Sequence, residues 1–139
     1  MSTEKAGERQ KRILIVEDNA LVAKFFRMAL ERAGGFSCKI TEDVPVILAE
    51  VEASTVDLIL LDVSLTSAEW NGQLVNGVEL CQLIKKKSPA HMPVLLATAH
   101  AMTGDRERFL RTSGADGYLE KPVYDAALLV EKVRELMGS

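Results

Sequence analysis

With 139 residues, 47% of them apolar and 27% charged, the chain has the length of one compact domain and is too apolar to be disordered. Its net charge of −3 lacks the basic surplus of a nucleic-acid-binding domain. No apolar run approaches the ~20 residues needed to cross a bilayer, and the polar start, Met1 to Arg12, lacks a signal peptide's apolar core, so a cytoplasmic protein with neither nucleic-acid nor membrane partner is expected.

Residues 1–11 read as a flexible, charged lead-in and residues 12–139 as the folded domain. Ile13-Leu14-Ile15-Val16 is a β-branched run without polar alternation, the mark of a strand buried on both faces. Leu21, Val22, Phe25, Phe26, Ala29 and Leu30 then recur at helical spacing, and Gly34-Gly35 is expected to end that helix. Phe36 to Ile40 reads as a second strand. Val44 to Val51 reads as a helix with Pro45 in its first turn, where the missing N–H costs nothing. Leu58-Ile59-Leu60-Leu61 is a third buried strand stopping at Asp62, followed by a loop from Val63 to Asn76 and a helix from Val78 to Lys87. Pro93 opens a fourth strand, Val94 to Ala97, and a weaker helix covers Asp105 to Thr112. Gly117 to Leu119 is a short fifth strand, and Ala126 to Met137 is the last helix, with Leu129, Val130, Val133 and Leu136 as its apolar stripe. Five strands alternating with five helices predict an α/β domain, with a parallel sheet between two helical layers.

In such sheets the functional site lies outside the carboxyl ends of the strands. Glu17 and Asp18 follow the first strand, Asp62 ends the third, Thr98 ends the fourth, and Lys121-Pro122 follows the fifth. Singly, each reads as a solvated loop residue or a helix cap; arriving together at one rim, they read as a site. Three crowded carboxylates repel, and a hard divalent cation with oxygen ligands relieves that repulsion. Mg²⁺ fits, binding through one or two carboxylates at ~2.1 Å and keeping waters elsewhere; Mn²⁺ is the alternative. Asp18 and Asp62 are the expected direct ligands, the backbone carbonyl of Ser64 a third, with Glu17 acting through a water. Asp62 is then a carboxylate nucleophile of aspartyl-phosphate chemistry. Thr98 supplies a hydroxyl and Lys121 a mobile ammonium to the phosphoryl oxygens. Ala99 and Ser64, both small, set access to the site.

Ile-Leu-Ile-Val-Glu-Asp-Asn (13–19), Leu-Ile-Leu-Leu-Asp (58–62), Ala-Thr-Ala (97–99) and Gly-Tyr-Leu-Glu-Lys-Pro (117–122) together resemble the response-regulator receiver domain of two-component signalling. The likeness runs from about Arg12 to Met137. It implies a flavodoxin-like, doubly wound five-stranded parallel sheet of order 2-1-3-4-5 with five helices. It implies Mg²⁺-dependent phosphorylation of Asp62 by the phosphohistidine of a histidine kinase or phosphotransfer protein. Thr98 and Tyr118 fall on the switch pair: the tyrosine would turn inward as Thr98 moves toward the phosphate, remodelling the face made by the fourth helix, fifth strand and fifth helix for a downstream output protein. A stand-alone receiver, monomeric or weakly dimeric, is expected, signalling by protein contact or onward phosphotransfer rather than by turnover. The stretch from Thr98 to Arg106 resembles stand-alone receivers and receivers attached to hybrid kinases.

The chain departs from the family pattern where Met-Pro usually follows the acceptor aspartate: Leu65-Thr66 stands there. The loop from Thr66 to Asn76 is longer than usual, with Gly77 as the opening glycine of the next helix. Trp70 lies in that loop, as a partner anchor or as packing. Three rival functions remain: a receiver-like scaffold acting by constitutive contact without phosphorylation, a phosphatase with an aspartyl intermediate, and a flavin binder. The phosphatase lacks the second aspartate two residues on, where Ser64 stands. The flavin reading lacks a Ser-, Thr- or Gly-rich loop after the first strand.

Several residues read as structural. Cys38 and Cys81 are expected as reduced, buried thiols. Lys85-Lys86-Lys87 is expected as a solvated face at a helix end. Tyr124 is expected to begin the last helix, His100 to be an exposed loop residue, and Met102 to be filler; His91 and His100 form no metal-ligand spacing.

Overall fold

The computed structural model describes residues 10–88, 91–99 and 104–138. In chain order the elements are β1 (Arg12–Val16), α1 (Ala20–Met28), a π-helical turn (Ala29–Ala33), β2 (Ser37–Ile40), α2 (Val44–Glu52), β3 (Leu58–Asp62), β4 (Glu69–Trp70), β5 (Gln73–Leu74), α3 (Gly77–Lys87), β6 (Val94–Thr98), α4 (Asp105–Ser113), β7 (Gly117–Glu120) and α5 (Ala126–Met137). Five strands form one sheet in the order β2-β1-β3-β6-β7, every pair parallel. With the small β4–β5 hairpin set aside, this is the flavodoxin-like order 2-1-3-4-5. Among the described residues, no helix is long and apolar enough to cross a membrane.

The unbroken apolar runs explain the two-sided burial. Successive side chains of a strand point to opposite faces. Leu14, Val16, Ile59, Leu61, Val94 and Leu96 enter one core layer, packed with Ile47, Leu48, Leu80 and Ile84 of α2 and α3. Ile13, Ile15, Leu58, Leu60, Leu95 and Ala97 enter the other, with Phe26, Leu129 and Val133 of α1 and α5. Each large side chain among them contributes about 1.5–3 kcal/mol by leaving water.

Helix starts are fixed by side-chain caps. Asn19 accepts from the N–H groups of Leu21 and Val22 at the start of α1, and Asp43 accepts from Val46 N–H at the start of α2. Asn76 and Glu79 make a reciprocal capping box on α3, and Asp125 caps α5. Gly77 sits inside the box, just after Asn76, and its N–H donates to the Val63 carbonyl at 2.9 Å. A Cβ there would overlap the Asp62 carbonyl and stand 2.7 Å from Val63 Cα. Only glycine lets α3 begin against the end of β3, so Gly77 is the opening glycine of this helix, as expected.

Six expectations need correction. The first helix stays α-helical only to Met28 and turns π-helical before Gly34, and Phe36 is a buried residue just ahead of β2. The segment 63–76 is not plain loop: β4 and β5 pair antiparallel across Asn71-Gly72, with φ of 53° and 80°. Positive φ at both central residues is the requirement of a type I′ turn. Lys85 is not part of a solvated run; its ammonium donates to Met92 O and Asp116 Oδ2, each at 2.7 Å. Tyr124 precedes α5 and is 86% exposed, and Leu21, counted with the apolar stripe of α1, is 80% exposed. Cys38 and Cys81 are buried free thiols, as expected. Residues 1–9 of the lead-in, His100 and Met102 lie outside the described residues.

Candidate functional site

Parallel strands deliver their carboxyl ends to one rim, and the register sets which residues meet there. Val16 pairs with Leu61, Asp62 with Ala97 and Thr98 with Glu120. Glu17 and Asp18 leave β1, Asp62 ends β3, Thr98 ends β6, and Lys121 follows β7. The Asn19 cap fixes the first turn further, since Asn19 N–H donates to Glu17 Oε2 at 3.1 Å.

Glu17, Asp18 and Asp62 each place a carboxylate oxygen within 4.8 Å of the other two. Lys121 Nζ lies 2.8 Å from Glu17 Oε1 and 3.2 Å from Asp62 Oδ1. Glu17 is 4% exposed and Asp62 3%, while Asp18 is half-buried. Burial pushes the Glu17 carboxyl above its ordinary pKa, against the lowering pull of the Lys121 hydrogen bond. Burial also works against the Lys121 charge, but the hydrogen bond to Glu17 and the charge of Asp62 outweigh it, so the ammonium is held above its usual value.

Among the described residues, one ammonium against three carboxylates leaves two negative charges uncompensated when all are ionised. That deficit equals the charge of a divalent cation, and the donors are all hard oxygens. The residues therefore fit Mg²⁺ or Mn²⁺.

The other named residues surround this centre. Thr98 is buried, and its carbonyl accepts from Lys121 N–H at 2.8 Å. Ser64 is exposed, and its N–H donates to Asp62 Oδ1 at 3.2 Å. Ala99 is exposed and lines a groove of about 410 Å³ with Leu21, Phe25, Lys121, Pro122 and Val123. Tyr118 is 7% exposed, its ring stacked on Phe109 of α4 at 6.2 Å and 17°. Trp70 is half-buried and packs against the core layer of α2 and α3.

Sequence reasoning misses two contacts. Glu17, expected to act through a water, is the nearer partner of Lys121. Thr66 reaches Asp18: its N–H donates to Asp18 Oδ2 at 3.1 Å and its hydroxyl donates to the same oxygen at 2.8 Å. The one sequence signal for Thr66 is negative, the missing proline. The Asn71-Gly72 pair suits the hairpin turn, but two-residue strands on either side give it no alternation to announce the hairpin.

A family model described as the response regulator receiver domain matches residues 13–134. The polar-differentiation response regulator DivK of Brucella anthropi is 33% identical over 129 residues, covering 92% of this chain and 97% of the relative. A CheY-like response regulator receiver domain protein from Methanospirillum hungatei superposes with a TM-score of 0.75 at 29% identity, covering 94% of this chain and 95% of that one. The receiver domain of sensor histidine kinase PA1611 from Pseudomonas aeruginosa, solved with a magnesium ion coordinated in its active-site cleft, gives 0.75 at 27% identity, covering 94% and 100%.

Proposed function

The chain belongs to the response regulator receiver domain family of two-component signalling, and from that premise we propose that Asp62 accepts a phosphoryl group and passes the change to a partner protein. The observation that carries this reading is the unbalanced pocket: three carboxylates within 4.8 Å of one another, joined by one lysine. Asp18 and Asp62, with the Ser64 carbonyl, would hold Mg²⁺, and Glu17 would act from behind a water. The cation supplies charge neutralisation for the incoming phosphoryl oxygens.

The donor is a phosphohistidine of a histidine kinase or phosphotransfer protein. A carboxylate oxygen of Asp62 forms the new O–P bond as the P–N bond breaks, and the electron pair leaves with the imidazole. Lys121 starts paired with Glu17 and Asp62 and is placed to follow the charge onto the phosphoryl oxygens. Thr98 donates its hydroxyl to another of them, and Ala99 and Ser64 leave room for the group to arrive. The apolar groove bordered by Leu21, Phe25 and Ala99 shares Lys121 with the pocket, which suits it to seat the phosphohistidine donor. Exposed apolar surface of this kind, next to the pocket's lysine, marks a contact surface.

Output runs through Thr98 and Tyr118. Leu96 and Tyr118 are register partners on β6 and β7, so a shift at Thr98 reaches the tyrosine through adjacent backbone. The Tyr118–Phe109 stack ties that shift to α4. Phosphorylation biases an existing equilibrium between two arrangements of this face, which an output protein reads. The protein acts as a phosphoacceptor rather than a turnover enzyme.

Incubation with Mg²⁺ and acetyl phosphate, followed by intact-mass measurement, tests the reading. One phosphoryl adduct is expected on the wild type and none on Asp62→Ala. An unmodified wild type would leave the constitutive scaffold as the better account.

A further inference from the structure

We propose that Thr66 is a positioning residue for the cation site, holding Asp18 in its ligating orientation; the inference rests on the cation reading above. Asp18 Oδ2 accepts two hydrogen bonds from this one residue, from its N–H at 3.1 Å and its hydroxyl at 2.8 Å. Two donors on one oxygen fix both the rotation of the carboxylate and its plane. They leave the second oxygen, Oδ1, to serve a cation. Hydrogen bonds to the outer oxygen of a ligating carboxylate orient it and lower the ordering cost of binding.

The donor is itself anchored. Leu65 just before it and Ala68 two residues after it are buried, and Ser67 Oγ donates to Glu42 Oε2 at 3.0 Å. Val75 N–H donates to the Ala68 carbonyl at 2.9 Å, closing the base of the β4–β5 hairpin. Thr66 is thus the point where the long loop after β3 grips the acidic pocket, joining residues 48 apart in sequence.

The residue type matters as much as the place. Proline, which usually stands here in the family, has no N–H and no hydroxyl, so neither bond would exist. A chain with Thr66 gains two donors to a carboxylate that faces two like charges, while the Lys121 ammonium is engaged with Glu17 and Asp62.

Titration of the full chain with MgCl₂ by isothermal calorimetry tests this directly. Thr66→Val removes the hydroxyl and keeps the shape, and it should weaken Mg²⁺ binding about ten-fold. Thr66→Ala, lacking β-branching, should weaken it by a similar factor. Thr66→Ser restores the donor and should bind within about two-fold of wild type, a rescue that a purely steric role would not give. Circular dichroism in EDTA should show all three folded as the wild type. Thr66→Val and Thr66→Ala binding as tightly as wild type, or more tightly, would overturn the proposal. So would Thr66→Ser falling as far as Thr66→Val. A wild type that takes up no Mg²⁺ at all would instead sink the cation reading, and this inference with it.

Discussion

At the amino end of the sheet, Lys85 meets Asp116; at the carboxyl end, Lys121 meets Glu17 and Asp62. In the first cluster Asp116 Oδ2 accepts from Lys85 at 2.7 Å and from Val94 N–H at 2.9 Å, and His91 Nε2 stands 2.9 Å from Oδ1. Lys85 donates again to the Met92 carbonyl. One carboxylate faces one ammonium, and these contacts tie the start of β6 to α3 and to the start of β7. In the second cluster three carboxylates share one ammonium, and the charges do not balance. The same two residue types serve as a brace at one rim and as a poised pocket at the other. Charge balance separates them, since a closed pair has nothing left to offer a ligand, whereas an unbalanced set is held together by the fold at a cost that a ligand can remove.

Breaking the brace should have the largest effect on stability. Asp116→Ala strips partners from Lys85 and from the Val94 N–H, and a loss of about 3 kcal/mol in urea unfolding is expected. Lys85→Met should lose about 2 kcal/mol. Neither loss should change when Mg²⁺ is added. A Mg²⁺-dependent loss would mean that the two rims are not separate.

Lys121→Met should cost less, about 1–2 kcal/mol in EDTA, because Glu17, whose carboxyl burial already pushes up, can take a proton in place of the lost counter-charge. Here the cation should matter: a pocket without its ammonium should hold Mg²⁺ more tightly than the wild type does, so saturating Mg²⁺, which stabilises the folded state by mass action, should restore most of the loss. Urea midpoints for Lys85→Met and Lys121→Met, with and without Mg²⁺, set brace against pocket in one experiment. Equal responses would erase the distinction.

Legibility in the sequence tracks the range of each interaction. The strands are readable because Ile13 to Val16, Leu58 to Leu61 and Val94 to Ala97 carry their burial locally, and all are buried on both faces. The rim is readable because parallel topology sends the residues just past each strand to one edge, which brings Glu17, Asp18, Asp62 and Lys121 together. Partner choice inside the rim is not readable. Nothing local says that Lys121 lies nearer Glu17 than Asp62, or that Thr66 crosses to Asp18. Lys85 reads as one of three solvated lysines because Asp116 is 31 residues away. Leu21 reads as core because helical spacing cannot tell a buried stripe from a groove at a helix's first turn. The hairpin escapes for another reason: two-residue strands carry almost no alternation, so Asn71-Gly72 stands without the flanking pattern that would mark it as a hairpin turn.

The smallest effect is the most diagnostic in sign. Asp62→Asn keeps the size and shape of a side chain that is 3% exposed and removes one of three crowded charges. It also weakens the contact to Lys121, which keeps Glu17 at 2.8 Å as its shorter partner. Relief of repulsion should exceed that loss, so Asp62→Asn is expected to unfold at higher urea in EDTA, by about 1 kcal/mol. Saturating Mg²⁺ should then reverse the order, because the wild type gains binding energy that the variant forgoes. The isosteric change at the other rim, Asp116→Asn, should only destabilise, with or without the ion. If Asp62→Asn were less stable than wild type in EDTA, the carboxyl-end cluster would be a second brace, and its surplus charge no sign of a ligand.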